Sequence, residues 1–352
     1  MTLAGMCEAG RLHACLAVLM LIWGPSDARV PPDGIWISQS ELLAIPDSGP
    51  AWEALYERAS NPIGPVDLSD QDSAANVNVL AKALVYVRTG SESLRAEVRE
   101  ALLAVRGSEA GATALAVGRE LVAYVIAADL IELQGDDRVA FEAWLRQLQR
   151  SDFSGRTLRS THEDRPNNWG THAGASRIAV AAYLGDEDEL DRAAYVFRGW
   201  LGDEVGWRAF RFGERWWQPP GQRDFGVNPP GAERDGHSID GVLPDDQRRG
   251  GEFRWPPPQE NYVYEALQGA LTQALLLERQ GYAAWEWGDR ALLRAYRWLH
   301  EQADYPVEGD DSWQPHLVNR AYMTDFPAPL PSRPGKGMGF TDWTHGPGGP
   351  EQ

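Results

Sequence analysis

Residues 168–189, NWGTHAGASRIAVAAYLGDEDE, decide how the chain is read. An Ala-rich run from Asn168 to Leu184 favours helix, and Gly185 suits its end. Asp186-x-x-Glu189 is then a capping-box pattern that opens a second helix to about Trp200. Two helices joined by so short a turn make a helical hairpin.

The same unit recurs on both sides. Upstream, Asn76 to Val87 places Val77, Leu80, Leu84 and Val87 on one stripe, and helical patterns follow at Leu94 to Val105, Ala112 to Leu133 and Asp137 to Gln149. A short pattern through Trp52, Leu55 and Tyr56 follows Ser48-Gly49-Pro50. Arg119, Glu120 and Asp129 interrupt the longest run, which marks a buried core helix and not a membrane span. Downstream, helical periodicity returns at Asn261 to Arg279 and again at Ala283 to Gln302; Pro31 to Asp47 and the tail from Pro306 read as loop. Strict βαβ alternation is absent, and no fixed-period repeat is visible. The expectation is an all-α fold of stacked helical hairpins in one closed or nearly closed array. Residues 202–258, rich in Gly, Pro, Trp and Arg, exceed ordinary connection lengths and are expected to fold over one open end.

With 352 residues, 43% of them apolar, and 15 Trp, the chain can bury a substantial core. Arg11 and the apolar run Leu12 to Trp23 precede Ser26-Asp27-Ala28, so residues 1–28 read as a secretory signal peptide and 29–352 as a single domain. A membrane anchor is the alternative, but the run of about 12 apolar residues falls short of the roughly 20 needed to span a bilayer. Both cysteines, Cys7 and Cys15, lie inside that segment, so the mature chain would hold no disulfide or thiolate metal site, and a secreted or periplasmic location is expected. A net charge of -18 opposes non-specific binding to nucleic acid or to an anionic membrane. Lys82 and Lys336 are the only lysines; the remaining basic residues are Arg, suited to bidentate carboxylate contacts.

Two stretches carry candidate chemistry. In Pro166-Asn167-Asn168-Trp169-Gly170-Thr171-His172, a helix beginning near Asn168 would put His172 on the face of Asn168 one turn on; alternatively, Asn168 only caps the helix and His172 packs in the core. In residues 234–264, Arg234, Asp235, His237 and Asp240 crowd a loop that leads to Arg248, Arg249, Trp255, Tyr262 and Tyr264. His237 with Asp235 could be a base and its orienter. Among seven His no HxH or HExxH spacing occurs, so neither a metal site nor a cofactor is expected. Trp216, Trp217 and Trp255 are either core or sugar-stacking platforms, and the two tyrosines either packing or site residues. Ala266 and Gly269, on the face of Tyr262, leave room over its ring.

These residues resemble the alginate lyase domain family of polysaccharide lyases, helical toroids related to chondroitin AC lyase. Asn167-Asn168 resembles that family's Asn-Asn-His motif. Asp240-Gly241-Val242-Leu243-Pro244 with Arg249-Gly250 resembles its Asp-Gly-x-Leu-Pro segment, and Tyr262 stands four residues before Ala266-Leu267-Gln268 as the family tyrosine does. The similarity spans about residues 50–345. Trp169 stands where the family has His, which passes the imidazole role to His172 or His237. The spacing from Arg249 to Tyr262 is longer than in the family, which keeps Tyr264 as a rival.

The resemblance implies β-elimination in a uronic-acid polysaccharide, alginate or a related polyuronate. Asn168 with His172 or His237 would hold the substrate carboxylate, stabilising the enolate-like intermediate. Tyr262 would take the C5 proton and return one to O4, with Arg249 favouring its phenolate. Asn167, Trp169, Arg234, Asp240, Arg248, Trp255 and Tyr264 would contact the acidic polysaccharide. The alternatives are a glycoside hydrolase using two of Asp235, Asp240, Asp245 and Asp246, or a glycan-binding protein without turnover.

Overall fold

The computed structural model describes residues 33–347 and 349; the predicted signal peptide and both cysteines lie outside the described residues. The chain begins with α1 (Gln39–Ala44), whose Ser38 and Glu41 form a capping box, and α2 (Pro50–Ser60). Then come α3 (Ala75–Thr89), α4 (Glu92–Ala104), α5 (Ala114–Leu130) and α6 (Gly135–Leu148). The second group is α7 (Leu158–Asp164), α8 (Asn168–Leu184) and α9 (Glu187–Trp200).

Burial sorts these helices into two layers. On α4 only Val98, Ala101 and Leu102 are buried, and on α6 only Phe141, Trp144, Leu145 and Leu148. Such a single stripe belongs to a helix with one face on the core and one in water. On α5 every residue except Asp129 is buried, and α8 is buried from Gly170 through Ala181. A helix buried all round needs helices on both sides. α5 packs against α3 and α8, and α8 against α5 and α11 (Tyr262–Arg279). Small residues set the spacing: a Cβ on Gly118 of α5 would lie 2.9 Å from the Ala173 nitrogen, and one on Gly269 of α11 would lie 2.4 Å from the Thr171 carbonyl carbon. These contacts join the opening turns of α5, α8 and α11 at one level, so the N-termini of the inner helices gather at one end of the array.

Residues 202–258 pack at that end. Val227 N donates to Trp200 O at the close of α9, and Trp200 Nε1 donates to Pro166 O just before α8. Within this long connection, β1 (Glu233–Arg234) pairs antiparallel with β2 (His237–Ser238), joined by Asp235 and Gly236, both at positive φ as a two-residue hairpin turn requires. The short α10 (Pro244–Gln247) follows, and Asn228 binds the connection together by donating to Trp217 O and Ile239 O.

The rest is α12 (Trp287–Arg297), α13 (Gln314–Tyr322) and α14 (Thr341–Thr344). The Trp343 ring lies 5.2 Å from that of Trp52 on α2, and its Nε1 donates to Pro46 O, which brings the last helix back to α2 and the turn before it. The helix expected from Ala283 to Gln302 is broken: a 3-10 turn at Ala284–Glu286 precedes α12, Gly288, Asp289 and Arg290 take positive φ, and a π turn ends it at Trp298–Gln302. α1, α13 and α14 arise in segments read as loop, and α7 in a stretch for which no helix was expected. α7 is short and polar but has a reciprocal cap between Thr157 and Ser160, and α13 tolerates Pro315 because a first-turn proline loses no intrahelical bond. No helix among the described residues is long and apolar enough to cross a membrane.

Candidate active site

The two stretches singled out in the sequence meet at the mouth where the inner helices begin. Asn167 caps α8, its Oδ1 accepting from Trp169 N at 3.2 Å, while its Nδ2 donates to Asp245 Oδ2 at 2.9 Å. Asn168 N donates to Asp246 Oδ1 at 3.1 Å. Asp245 Oδ1 also accepts from Gly213 N at 2.7 Å and from Arg248 Nε at 3.0 Å. Two adjacent carboxylates therefore clamp the Asn-Asn turn to the segment that carries the arginines. Burial, and then the charge of Asp245, push the Asp246 carboxyl well above its ordinary range, so Asp246 favours its protonated form.

With its backbone held, the Asn168 side chain has neither amide atom hydrogen-bonded within the protein, although the residue is 1% exposed. One turn on, His172 is also buried and its Nε2 has no hydrogen-bond partner. That nitrogen lies 4.0 Å from Glu265 Oε2, and Glu265 is ion-paired with Arg119 of α5. Burial, then the charges of Arg119 and Lys336, hold His172 well below the ordinary imidazole value, so the ring is neutral. Lys336 reaches this wall on the chain's tail, where its backbone N donates to Gln268 Oε1 on α11 and its O accepts from Asn76 on α3.

Arg249 and Tyr262 form the exposed side of the mouth. The Arg249 guanidinium carbon lies 4.0 Å from the centroid of the Tyr262 ring, and Tyr262 is 37% exposed at the first position of α11. Tyr264, two residues on, is buried; its hydroxyl donates to Tyr305 O at 2.6 Å, and burial raises its pKa.

The remaining sequence candidates lie in other settings. His237 stacks on Trp255, with centroids 4.3 Å apart and planes at 8°, and Arg234 lies over Phe253 while donating to Arg215 O and Gln218 O. Asp240 pairs with Arg294 at 2.6 Å and accepts from Gly231 N, a bracing role within the connection. Trp169 is half-buried with Arg165 over its ring, and Arg248 bridges Asp245 and Glu214. Among the described residues no cluster of three or more His, Cys, Asp or Glu is arranged to hold a metal ion.

Sequence reading passed over Arg119, Glu265 and Lys336. Arg119 did carry a signal: it breaks an otherwise apolar helix, where a charge without a partner would be costly. Its partner Glu265 lies 146 residues away, beyond the reach of any local pattern.

The structure of alginate lyase A1-III from Sphingomonas species A1 superposes with a TM-score of 0.51, covering 90% of this chain and 96% of that one at 11% sequence identity. The family model for alginate lyases matches residues 96–205, the segment from α4 through α9 that contains Asn167, Asn168 and His172. The model match therefore covers an alginate-lyase-like segment, and the superposition shows a shared helical-toroid fold across 90% of the chain. No curated protein sequence matches it.

Proposed function

We propose that the protein cleaves a uronic-acid polysaccharide, alginate or a related polyuronate, by β-elimination at the mouth formed by α8, α10 and α11. One observation carries the reading: a buried side-chain amide, Asn168, has both polar atoms unpartnered at the start of an inner helix while its backbone is clamped. An unsatisfied buried amide costs about 1–3 kcal/mol, and a substrate carboxylate would satisfy its N–H. The helix N-terminus around it favours an anion.

In this reading Asn168 donates to the uronate carboxylate and stabilises the charge that develops when C5 loses its proton. His172, being neutral, offers a hydrogen bond and not a charge. The positive potential comes from Lys336, Arg249 and the gathered helix N-termini, since Arg119 is paired with Glu265. Tyr262 takes the C5 proton; the C5–H electron pair becomes the C4–C5 double bond as the C4–O4 bond breaks, and the departing O4 receives a proton from the tyrosine. The exposure of Tyr262 beside Arg249 favours it for this role over Tyr264, whose hydroxyl is committed to Tyr305. Asn167 and Arg248 act as positioning residues through Asp245. His237, Trp255 and Arg234 offer a stacking face with a nearby cation, fit for a further sugar. Export to the periplasm or exterior would bring the enzyme to such a substrate.

Two of the four carboxylates a hydrolase could draw on are occupied, Asp240 by Arg294 and Asp245 by three donors. Incubation with polymannuronate, polyguluronate and glucuronan tests the proposal. Release of ultraviolet-absorbing unsaturated sugars by the parent, lost in Tyr262→Phe, is the expected result. New reducing ends without that absorbance would refute it.

A further inference from the structure

Arginines on the face between α9 and the long connection are nearly all spoken for. Arg192 pairs with Glu163, Arg198 with Asp203, Arg211 with Asp164 and Arg215 with Asp224. Arg208 and Arg223 differ. Among the described residues neither has a carboxylate within ion-pair distance; Arg208 donates to Glu204 O, and Arg223 to Gly202 O at 3.2 Å. Backbone carbonyls fix these side chains without cancelling their charge. The two guanidiniums also feel each other: burial, and then the charge of Arg208, lower the pKa of Arg223. The nearby Glu204 carboxylate acts on Arg223 in the opposite sense without reaching ion-pair distance, so in a chain of net charge -18 two neighbouring cations face one acid.

Both line a groove of about 300 Å³ whose walls include Trp207, Phe210, Phe212 and Phe225. The frame of the groove is held in place. Trp207 N donates to Tyr195 O on α9, Trp207 Nε1 donates to Glu163 O, and the Arg223 guanidinium carbon lies 4.8 Å from the centroid of the Phe225 ring. The one acid in the lining, Asp224, is neutralised by Arg215 at 2.6 Å. The groove opens at the mouth end of the ring, because α9 finishes where α8 begins. Its wall continues directly into the site: Phe212 precedes Gly213, whose N–H is one of the donors to Asp245.

We propose that this groove is a further subsite, which binds a uronate residue of the acidic polysaccharide outside the cleavage centre. The inference rests on the polyuronate-lyase reading and adds a site to it. Arg208 and Arg223 hold the carboxylate, for which planar guanidiniums offer paired N–H donors, and the aromatic walls take the apolar face of the sugar ring. The volume sits at the small end of the roughly 300–1,000 Å³ usual for small-molecule sites, which suits a single sugar and not a long segment.

The test is the double variant Arg208→Gln/Arg223→Gln. Both side chains are exposed and neither helps to hold the catalytic turn. Steady-state kinetics would compare a long polyuronate with the shortest oligosaccharide the parent cleaves. The expected result is a KM for the polymer raised about tenfold, given the strength of partly exposed charge-assisted bonds, with kcat and the short-substrate KM unchanged. Unchanged kinetics on both substrates, or an equal loss on both, would overturn the subsite. Retardation in a gel containing the same polyuronate separates this from the lyase reading. If the parent shows no turnover but is retarded, and the double variant is not, the groove stands while the proposed reaction falls; equal migration of the two refutes the groove.

Discussion

Replacing Asp245 by Asn keeps the shape of the clamp and removes its charge, so it asks whether the clamp holds the Asn-Asn turn. Both carboxylate oxygens accept: Oδ1 from Gly213 N and Arg248 Nε, Oδ2 from Asn167 Nδ2. An amide offers only one oxygen. If that oxygen faces Gly213 and Arg248, its NH2 group meets the Asn167 NH2; if it is reversed, the NH2 meets two donors. Flipping Asn167 offers no escape, because its Oδ1 already caps Trp169 N. One buried donor-donor contact therefore persists, costing about 1–3 kcal/mol. Loss of the charge opposite Arg248, which keeps Glu214, adds about 0.5–1 kcal/mol. Urea unfolding should show a loss of about 1.5–4 kcal/mol in Asp245→Asn. A turn displaced by even ~1 Å would carry Asn168 out of register and lower kcat/KM about a hundredfold in the ultraviolet product assay. A variant as stable and as fast as the parent would mean that Asp245 neither anchors Asn167 nor positions Asn168.

Tyr262→Phe should lower kcat by a factor of about 10²–10⁴ with little change in stability, whereas Tyr264→Phe should cost about 1 kcal/mol through its lost bond to Tyr305 O and leave turnover intact; the two variants' rates and urea midpoints check this. Burial pushes the Glu120 carboxyl from its usual 4.5 up to about 9, so the folded state holds a proton that the unfolded state releases. The contribution of this group to stability should therefore fall as pH rises from about 4.5 to about 9, so Glu120→Gln should gain on the parent across that window in melting-temperature profiles; a parent-to-variant difference that does not change with pH would refute it. Gly269→Ala forces a Cβ against Thr171 and should cost about 1–3 kcal/mol in unfolding while slowing turnover, because α11 and α8 can no longer meet at the same distance.

How far the sequence could be read depended on the range of each interaction. The hairpin of α8 and α9 was legible because Ala-rich propensity, Gly185 and the Asp186 cap are local; the structure has Asp186 accepting from Glu189 N, but the Glu189 carboxylate pairs with Arg159 and Arg177 and does not complete the capping box. α7 was not, since seven mostly polar residues offer no periodicity and owe their helix to a cap and to packing on α8. At the site, Asn168 and His172 were placed on one face by helical spacing alone. Asp245 and Asp246 were noticed as carboxylates, but their part in holding Asn167 and Asn168 joins residues 78 positions apart. The break in the first turn of α12 was invisible because positive φ at Asp289 and Arg290 is imposed by surroundings and not by residue type.

Trp169, which stands where the family this chain resembles has His, bears on where the positive charge would come from in the proposed reaction. His172 cannot provide it: buried and neutral, it would have to bind a proton beside Arg119 and Lys336, both of which oppose it. Arg119 is itself tied to Glu265, so that pair contributes a dipole more than a charge. What remains is distributed: the gathered N-termini of α5, α8 and α11, the exposed Arg249, and Lys336, whose pairing with Asp72 is at the surface and therefore weak. A polyanion approaching a chain of net charge -18 is repelled at long range, but at about 0.15 M salt that repulsion is screened beyond ~8 Å. Only the local field of the mouth then counts. On this argument the rate on polymer should rise as salt increases from very low ionic strength and fall again once the contacts with Arg249 and the groove arginines are themselves screened, so that a monotonic decline with salt would mean that long-range repulsion never limited association.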